Sequence, residues 1–213
     1  MSDELHAEHR EGHGDVEAKR FWEDHYRRRA RVWSGRPNPV LIDVAGSLRP
    51  GTALDLGCGE GGDAIWLALQ GWRVTAIDVS ATALDRAAAD AATAGVAGRI
   101  DFRQRDLALA FPPGAFDLVS AQYLHSPIEF PRARVLQEAA SAVTPGGLLL
   151  IVDHASVGPG SWAEPEETLV PLDLSPDAWH TERLEARERE TTHPNRRVVT
   201  HTDNVVAVRR LAR

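Results

Sequence analysis

A glycine-rich segment near the start of the chain constrains the fold most. The stretch "ALDLGCGEGGDAIWLA", residues 53–68, contains Gly57, Gly59 and Gly62 in the spacing G-x-G-x-x-G, and Asp78 follows roughly twenty positions later. This spacing, between an apolar run and a helical pattern, is typical of a turn that binds a nucleotide-containing cofactor. We therefore expect a buried strand, a cofactor-binding turn and a helix in direct succession.

The rest of the chain continues this alternation of strands and helices. Strands are predicted at 52–57, 73–78, 99–104, 116–122 and 148–154, and helices at 62–70, from Ser80 to near Gly95, and at 132–143. Alternating strands and helices predict a doubly wound α/β fold with a mostly parallel sheet. The C-terminal stretches "AWHTERLEARERE" and "RVVTHTDNVVAVRRL" alternate with period two around "TTHPN", which predicts a closing antiparallel β-hairpin.

The length of 213 residues suits a single domain. Residues 1–15 are polar and lack apolar periodicity, so we expect a flexible tail there, with the folded domain at 16–213. In the tail, His6, His9 and His13 would share one helix face, and a metal site is weighed there against a solvated tail. Helical patterns at 16–32 and 39–48 precede the first strand and flank "WSGRPNP".

Composition excludes several classes of protein. The net charge of −7 argues against a nucleic-acid partner. The single cysteine, Cys58, excludes an internal disulfide and a cysteine-based zinc site. The sequence shows neither a bilayer-length apolar run nor the apolar centre of a secretory signal, so we expect a soluble, cytoplasmic protein with no membrane partner.

Asp55 distinguishes between possible cofactors. It lies two residues before Gly57, at the end of the predicted strand, where its charge would repel the pyrophosphate of a dinucleotide such as NAD(P). The same charge would stabilise a cationic amino-acid group. S-adenosyl-L-methionine carries an ammonium and a sulfonium but no phosphate, and Asp78 could accept hydrogen bonds from its ribose hydroxyls. Asp78 could also simply initiate the following helix.

Five segments in order, "LDLGCGEG", "VTAIDVS", "RQRDLAL", "FDLVSAQ" and "VTPGGLLLIVDH", resemble the class I S-adenosylmethionine-dependent methyltransferases. The resemblance covers residue 17 to the C-terminus. It implies a single Rossmann-like sheet of seven strands in which the last hairpin inserts one antiparallel strand. It also implies cofactor-binding roles around the methionine part, the ribose, the adenine and the methyl group for Asp55, Gly57, Cys58, Gly59, Gly61, Asp78, Val79, Asp106, Leu107 and Gln122.

The segment "FWEDHYRRRARVWSGRPNPVL" resembles the subgroup related to tellurite-resistance and thiopurine S-methyltransferases. In that subgroup an N-terminal helix and a loop containing tryptophan cover the cofactor. The resemblance implies a lid at residues 16–48 in which Trp33, Ser34 and Gly35 contact the cofactor. Packing of Trp33 on the sheet is the alternative, and Trp22 is predicted to pack.

Two residues after the fourth strand are candidates for catalysis. His125 could remove a proton from the methyl acceptor, because imidazole accepts protons near neutral pH, and Tyr123 is a second candidate. Either side chain could instead form a wall of the pocket. Asp153 and His154 could line the acceptor pocket or bind a metal, but Gln122 stands where a metal site would need an acid, so we predict no metal.

The sequence favours a small-molecule acceptor with a sulfur, oxygen, nitrogen or chalcogen-oxyanion nucleophile. The segment "SAQYLHSP" lacks the (Asp/Asn)-Pro-Pro-aromatic signature of enzymes that methylate amino groups of DNA bases, and Cys58 lies in the cofactor turn rather than at an acceptor. Two alternatives remain: a non-catalytic protein that binds the cofactor as a sensor, and an NAD(P)-dependent oxidoreductase.

Overall fold

The computed structural model describes residues 17–155, 163–192 and 198–212. The predicted tail with His6, His9 and His13, and part of the predicted hairpin turn, lie outside these residues. A seven-stranded sheet forms the centre of the molecule, in the order β3-β2-β1-β4-β5-β7-β6. The strands are β1 (Thr52–Leu56), β2 (Arg73–Asp78), β3 (Ile100–Gln104), β4 (Phe116–Gln122), β5 (Val143–His154), β6 (Trp179–Thr192) and β7 (Val198–Arg210).

The sheet confirms the predicted fold class. The first five strands run parallel, and β7 is antiparallel to both β5 and β6. The chain order reverses between β1 and β4, which are hydrogen-bonded neighbours. In an open sheet of this type, ligands bind beyond the carboxyl ends of the strands at that reversal.

Helices cover both faces of the sheet. They are α1 over residues 17–27, α2 (Pro39–Ala45), α3 (Gly62–Leu69), α4 (Ala81–Thr93), α5 (Arg132–Ser141) and α6 (Pro165–Leu169), with 3-10 turns at Ala97–Arg99 and Val170–Leu172. Ser80 caps α4 as predicted, since its hydroxyl accepts from the backbone of Ala83. No helix in the described ranges is long and apolar enough to cross a membrane.

The core consists of two apolar layers, one on each face of the sheet. Side chains of α2 and α3 pack on one face, and side chains of α5 pack on the other. Successive residues of a strand point to opposite faces, so the continuous apolar run of β5 supplies both layers: Leu148, Leu150 and Val152 to one, Leu149 and Ile151 to the other. These layers hold the sheet edge that carries the site.

Several boundaries differ from those predicted. α1 ends at residue 27 rather than 32, and α2 at Ala45 rather than 48. β5 begins at Val143 rather than 148, because the predicted turn "TPGG" is an irregularity within the strand: the partners of Phe116 and Leu118 jump from Val143 to Leu148. α6 was not predicted, since five residues are too few to show a helical period.

Candidate active site

The glycine turn joins β1 to α3 at the point where the strand order reverses. Gly57, Gly59 and Gly61 all have positive φ, which residues with a Cβ rarely adopt. A Cβ on Gly61 would also lie 2.8 Å from the Cβ of Ala87 on α4. The turn therefore needs glycine for its conformation and, at Gly61, for the close approach of α4.

Asp78 supports this turn from the end of β2. Its carboxylate accepts from the backbone N–H groups of Gly59 and Ser80, each at 2.9 Å. Burial raises the pKa of Asp78 to about 6, although these backbone bonds oppose the shift. The side chain that the resemblance assigns to the ribose thus lies directly beside the turn.

Asp55 and Asp63 form a pair of buried acids beside the turn. Asp55 accepts from the backbone of Ala64, but its Oδ2 is buried and has no hydrogen-bond partner among the described residues. Burial, and then the charges of Asp63 and Asp78, raise its pKa well above the ordinary value. Burial also raises the pKa of Asp63 to about 6, and its Oδ1 accepts from the backbone of Asn38 at 2.6 Å. This donor set fits a cationic group such as the ammonium of S-adenosylmethionine.

Asp106 lies just beyond the end of β3. Its Oδ1 accepts from the backbone N–H of Ala108 at 2.8 Å, whereas its Oδ2 is buried and unpartnered within the described part of the chain. An acceptor left open in this way fits the amino group of an adenine. Val79 follows β2, and its carbonyl accepts from the side chain of Gln104 at 3.0 Å.

The segment after α1 lies over the glycine turn. The carboxylate of Glu60, within the turn, accepts from the backbone N–H groups of Val32 and Trp33 at 3.0 and 2.9 Å. The Trp33 indole donates to the Tyr26 hydroxyl at 3.0 Å and lies 3.2 Å from the position of a Cβ on Gly59. Trp33 is 54% exposed, so it covers the turn and is not packed into the sheet.

Arg86 and Tyr26 take part in this cover, and sequence reasoning missed both. Arg86 donates to Glu60 at 2.8 Å and to the carbonyls of Tyr26 and Arg29 at 3.1 and 2.8 Å. The only signal in the sequence was Glu60, an acid inside a turn otherwise made of glycines and Cys58. Ser34 and Gly35 follow Trp33; the Ser34 hydroxyl accepts from the backbone of Arg36 at 3.1 Å.

Trp22 connects α1 to the segment after β4. Its indole donates to the Ser126 hydroxyl at 3.3 Å, and the ring is half-buried. Trp22 thus makes a polar contact as well as packing. The contact places α1 beside the segment that carries His125.

Gln122 and Tyr123 lie at the end of β4. The Gln122 amide donates to Ser120 at 2.9 Å, and its Oε1 is buried without a partner in the described ranges. Tyr123 has a φ of 52°, and its hydroxyl donates to Asp203 at 2.8 Å. Burial and the Asp203 carboxylate raise the pKa of Tyr123, which disfavours the phenolate that a proton-accepting tyrosine would need.

Two buried acids with three partners each lie beyond Gln122. In the Asp153 cluster, Asp153 interacts with Arg132 at 2.5 Å, Thr168 at 2.9 Å and His125 Nε2 at 3.2 Å. Burial would raise the pKa of Asp153, but the bonds from His125, Arg132 and Thr168 lower it below the ordinary value. His125 is therefore paired with a carboxylate, an arrangement that the sequence did not reveal.

The Asp203 cluster is built in the same way. Asp203 interacts with Arg189 Nε at 2.6 Å, the Tyr123 hydroxyl at 2.8 Å and His154 Nδ1 at 3.2 Å. Burial opposes ionisation here too, but bonds from His154, Arg189 and Tyr123 hold the pKa of Asp203 well below its usual range. Among the residues that the structure describes, no group of three or more His, Cys, Asp or Glu side chains is arranged to hold a metal.

The fold and the acid-lined turn define a class of protein, and comparison with known sequences agrees. A model of the methyltransferase domain family matches residues 53–147. A probable thiol methyltransferase 2 of Arabidopsis thaliana is 32% identical over 71% of this chain and 72% of its own length. A phosphatidylethanolamine N-methyltransferase of Cereibacter sphaeroides is 34% identical over 72% of this chain and 74% of its own length.

Other similarities cover less of the relative or are more distant. The chain spans only 36% of the length of a ribosomal RNA small subunit methyltransferase C of Alcanivorax borkumensis, at 33% identity. The crystal structure of TehB from Haemophilus influenzae has a TM-score of 0.65 at 19% identity, covering 88% of this chain and 66% of that one. The latter similarity shows a shared fold.

The chain belongs to the class I S-adenosylmethionine-dependent methyltransferases. It is accordingly a methyltransferase whose cofactor is S-adenosyl-L-methionine.

Proposed function

We propose that the protein methylates a small-molecule acceptor, and that thiols are the first class to test. The observation that carries the proposal is the match to a probable thiol methyltransferase over 72% of that relative's length. The ribosomal RNA methyltransferase match is confined to 36% of its relative. The net charge of −7 also disfavours a polyanionic acceptor such as RNA.

The acids around the glycine turn would hold the cofactor. In this proposal Asp55 binds the ammonium, Asp78 binds the ribose and Asp106 binds the adenine amino group, while Leu107 and Val79 contact the adenine. The support is chemical: Asp55 and Asp106 each have a buried oxygen without a partner among the described residues. When bound, S-adenosylmethionine supplies an electrophilic methyl group on a sulfonium and leaves as S-adenosylhomocysteine.

The acceptor would bind between the cover formed by Trp33 and the ends of β4 and β5. Gln122, Tyr123, His125 and His154 lie on this side of the sheet edge, and His125 and His154 are both 42% exposed at their side chains. Trp33 would exclude water from the reacting atoms, which favours transfer from a cation that loses its charge. An acceptor enclosed by so short a segment is expected to be small.

Formation of S-adenosylhomocysteine across a panel of acceptors tests the proposal. The panel contains alkyl and aryl thiols, selenite, tellurite, phenols, amines, phosphatidylethanolamine vesicles and ribosomal RNA. We expect turnover with a small molecule, fastest with thiols, and none in the control variant Asp55→Asn. Turnover with RNA alone would overturn the proposal. Tight cofactor binding without any turnover would favour the sensor alternative, and binding of NADH in place of S-adenosylhomocysteine would favour an oxidoreductase.

The role of Trp33 has a separate test. Trp33→Ala should speed dissociation of S-adenosylhomocysteine by about 10-fold, because the variant loses the side chain that covers the turn. Leu109→Ala is the matched control, since Leu109 is also exposed and lies outside the cover. Equal dissociation rates in the two variants would show that Trp33 does not retain the cofactor.

A further inference from the structure

The Asp203 cluster brings together residues from four strands that no motif connects. Tyr123 follows β4, His154 ends β5, Arg189 lies on β6 and Asp203 lies on β7. His154 and Asp203 are direct partners in the antiparallel pairing of β5 and β7. Because cross-strand partners lie close together on one face of a sheet, the register itself fixes this contact.

The contact defines which nitrogen of His154 carries a hydrogen. Asp203 is buried, and its carboxylate faces the Arg189 guanidinium, so it is an acceptor. His154 Nδ1 lies 3.2 Å from Asp203 Oδ1 and must therefore donate. In a neutral ring the lone pair is then on Nε2, the nitrogen farther from the backbone. The side chain is 42% exposed, so Nε2 can reach a ligand.

The surrounding groups hold the imidazole ring in place. The Tyr123 ring stacks on His154 with centroids 4.3 Å apart and an angle of 26° between the planes. The Arg189 guanidinium lies 5.9 Å from the Tyr123 centroid. Tyr123 keeps a left-handed backbone conformation, which costs about 1 kcal/mol and is typical of functional sites. The groups facing His154 are thus the Asp203 carboxylate and the Tyr123 ring, with Arg189 and Asn38 around them.

His125 has the opposite orientation. It faces Asp153 through Nε2, which leaves Nδ1, the nitrogen next to its own backbone, for any ligand. Asp153 is also bonded to Arg132 of α5 and Thr168 of α6, so the Asp153 cluster joins two helices to the sheet. A base that presents Nε2 and is fixed through Nδ1 by a carboxylate is the arrangement used in hydrolase triads.

We propose that His154 is the general base that deprotonates the methyl acceptor and that Asp203 is its positioning residue. The proposal rests on the proposed function, a small-molecule thiol methyltransferase. The S–H bond of the acceptor breaks, its proton forms an N–H bond at Nε2, and the electron pair stays on sulfur as the nucleophile. The imidazolium then returns the proton to water. Asp203 stabilises the imidazolium and keeps Nδ1 protonated throughout.

Acceptors that differ in acidity test the base. An alkyl thiol such as 1-propanethiol is mostly protonated at neutral pH, whereas 4-nitrothiophenol is ionised there and needs no base. In His154→Gln we expect kcat with 1-propanethiol to fall about 100-fold and kcat with 4-nitrothiophenol to change less than about threefold. His180→Gln is the matched control, because His180 is exposed at the far end of β6.

The outcomes separate this proposal from the proposed function. If the wild-type protein methylates neither thiol but does methylate another class of acceptor, the proposed preference for thiols is wrong. If it methylates both and His154→Gln loses both activities equally, His154 binds or supports the site and is not the base. A selective loss in His125→Gln, with none in His154→Gln, would assign the proton transfer to His125 and overturn the proposal.

The second readout needs no cofactor and no turnover. Ring-nitrogen NMR of the wild-type protein should show His154 as the Nδ1–H tautomer, and His125 as the Nε2–H tautomer. Asp203→Asn should release His154 from this tautomer without altering the ring signals of His125. An Nε2–H tautomer at His154 in the wild-type protein would overturn the proposal, whether or not Asp203→Asn folds.

Discussion

Two halves of one sheet edge contain buried acids under opposite electrostatic conditions. In the cofactor half, beyond β1 and β2, Asp55, Asp63 and Asp78 have no cation beside them in the described structure, and burial raises their pKa values. In the acceptor half, beyond β5 and β7, Asp153 and Asp203 each have an arginine, a hydroxyl and a histidine, which lower their pKa values.

The difference teaches what each half is built to do. The acceptor half satisfies its own charges and so contributes to the stability of the fold. The cofactor half keeps carboxylates that are costly without a positive ligand, and the cost is recovered when such a ligand binds. Affinity for the cofactor and stability of the cofactor-free protein should therefore oppose one another in the cofactor half.

The largest effect should come from removing either acid of the acceptor half. Asp153→Ala or Asp203→Ala leaves a largely buried arginine without its carboxylate, and we expect the free energy of unfolding to fall by about 3–5 kcal/mol. Urea denaturation measures this, with the exposed Asp85→Ala as control. A loss below about 1 kcal/mol in both variants would show that the two clusters do not stabilise the fold.

In the cofactor half the same kind of change should affect affinity and not stability. Asp55→Asn removes a charge-assisted hydrogen bond to the ammonium, so we expect affinity for S-adenosylhomocysteine to fall about 100-fold. The cofactor-free protein should be as stable as wild type, or more stable, since a buried uncompensated acid is gone. Calorimetric titration and urea denaturation measure the two. Unchanged affinity would remove Asp55 from the cofactor site.

Acidification should act oppositely on the two halves. The folded pKa of Asp78, about 6, exceeds its ordinary 3.8, so its contribution to stability is fully present below the ordinary value and is lost as pH rises through 6. Asp153 and Asp203 have lowered folded pKa values, so their contribution is present above the ordinary value and is lost as pH falls through the folded values.

The cofactor-free protein should consequently gain about 2 kcal/mol from Asp78 as pH falls from 7 to 4.5, before stability collapses in stronger acid. Urea denaturation across this range measures the gain, and Asp78→Asn should reduce it. Saturating S-adenosylhomocysteine should also reduce it, because the ligand favours the ionised carboxylates. The same pH dependence in Asp78→Asn would show that Asp78 is not its source.

The smallest effects should come from the hydroxyls of the acceptor half. Thr168→Val and Tyr123→Phe each remove one donor to a buried carboxylate that keeps its arginine, so each should cost about 1 kcal/mol of unfolding free energy. Thermal or urea unfolding measures both. A cost in Tyr123→Phe much greater than in Thr168→Val would show that the two clusters are not equivalent in their effect on stability.

Much of the fold was predictable because its signals are local. Period-two and apolar runs predicted seven strands, and Gly57, Gly59 and Gly61 marked the turn that joins β1 to α3. The candidate cofactor acids were also visible, since Asp55, Asp78 and Asp106 each follow or end a strand. The helix ends and the start of β5 were not, because a bulge at "TPGG" depends on how β4 pairs with β5.

The sequence by itself determined the class of fold, the glycine turn and the row of acids at the strand ends, because each depends on neighbouring residues. Only the tertiary structure decided which acids are compensated. Asp203 meets Tyr123 across 80 positions and His154 across 49, and Asp153 meets His125 and Arg132 from different elements. Such contacts depend on strand order and register, which bring distant residues to one sheet edge, and a linear pattern does not encode that distance.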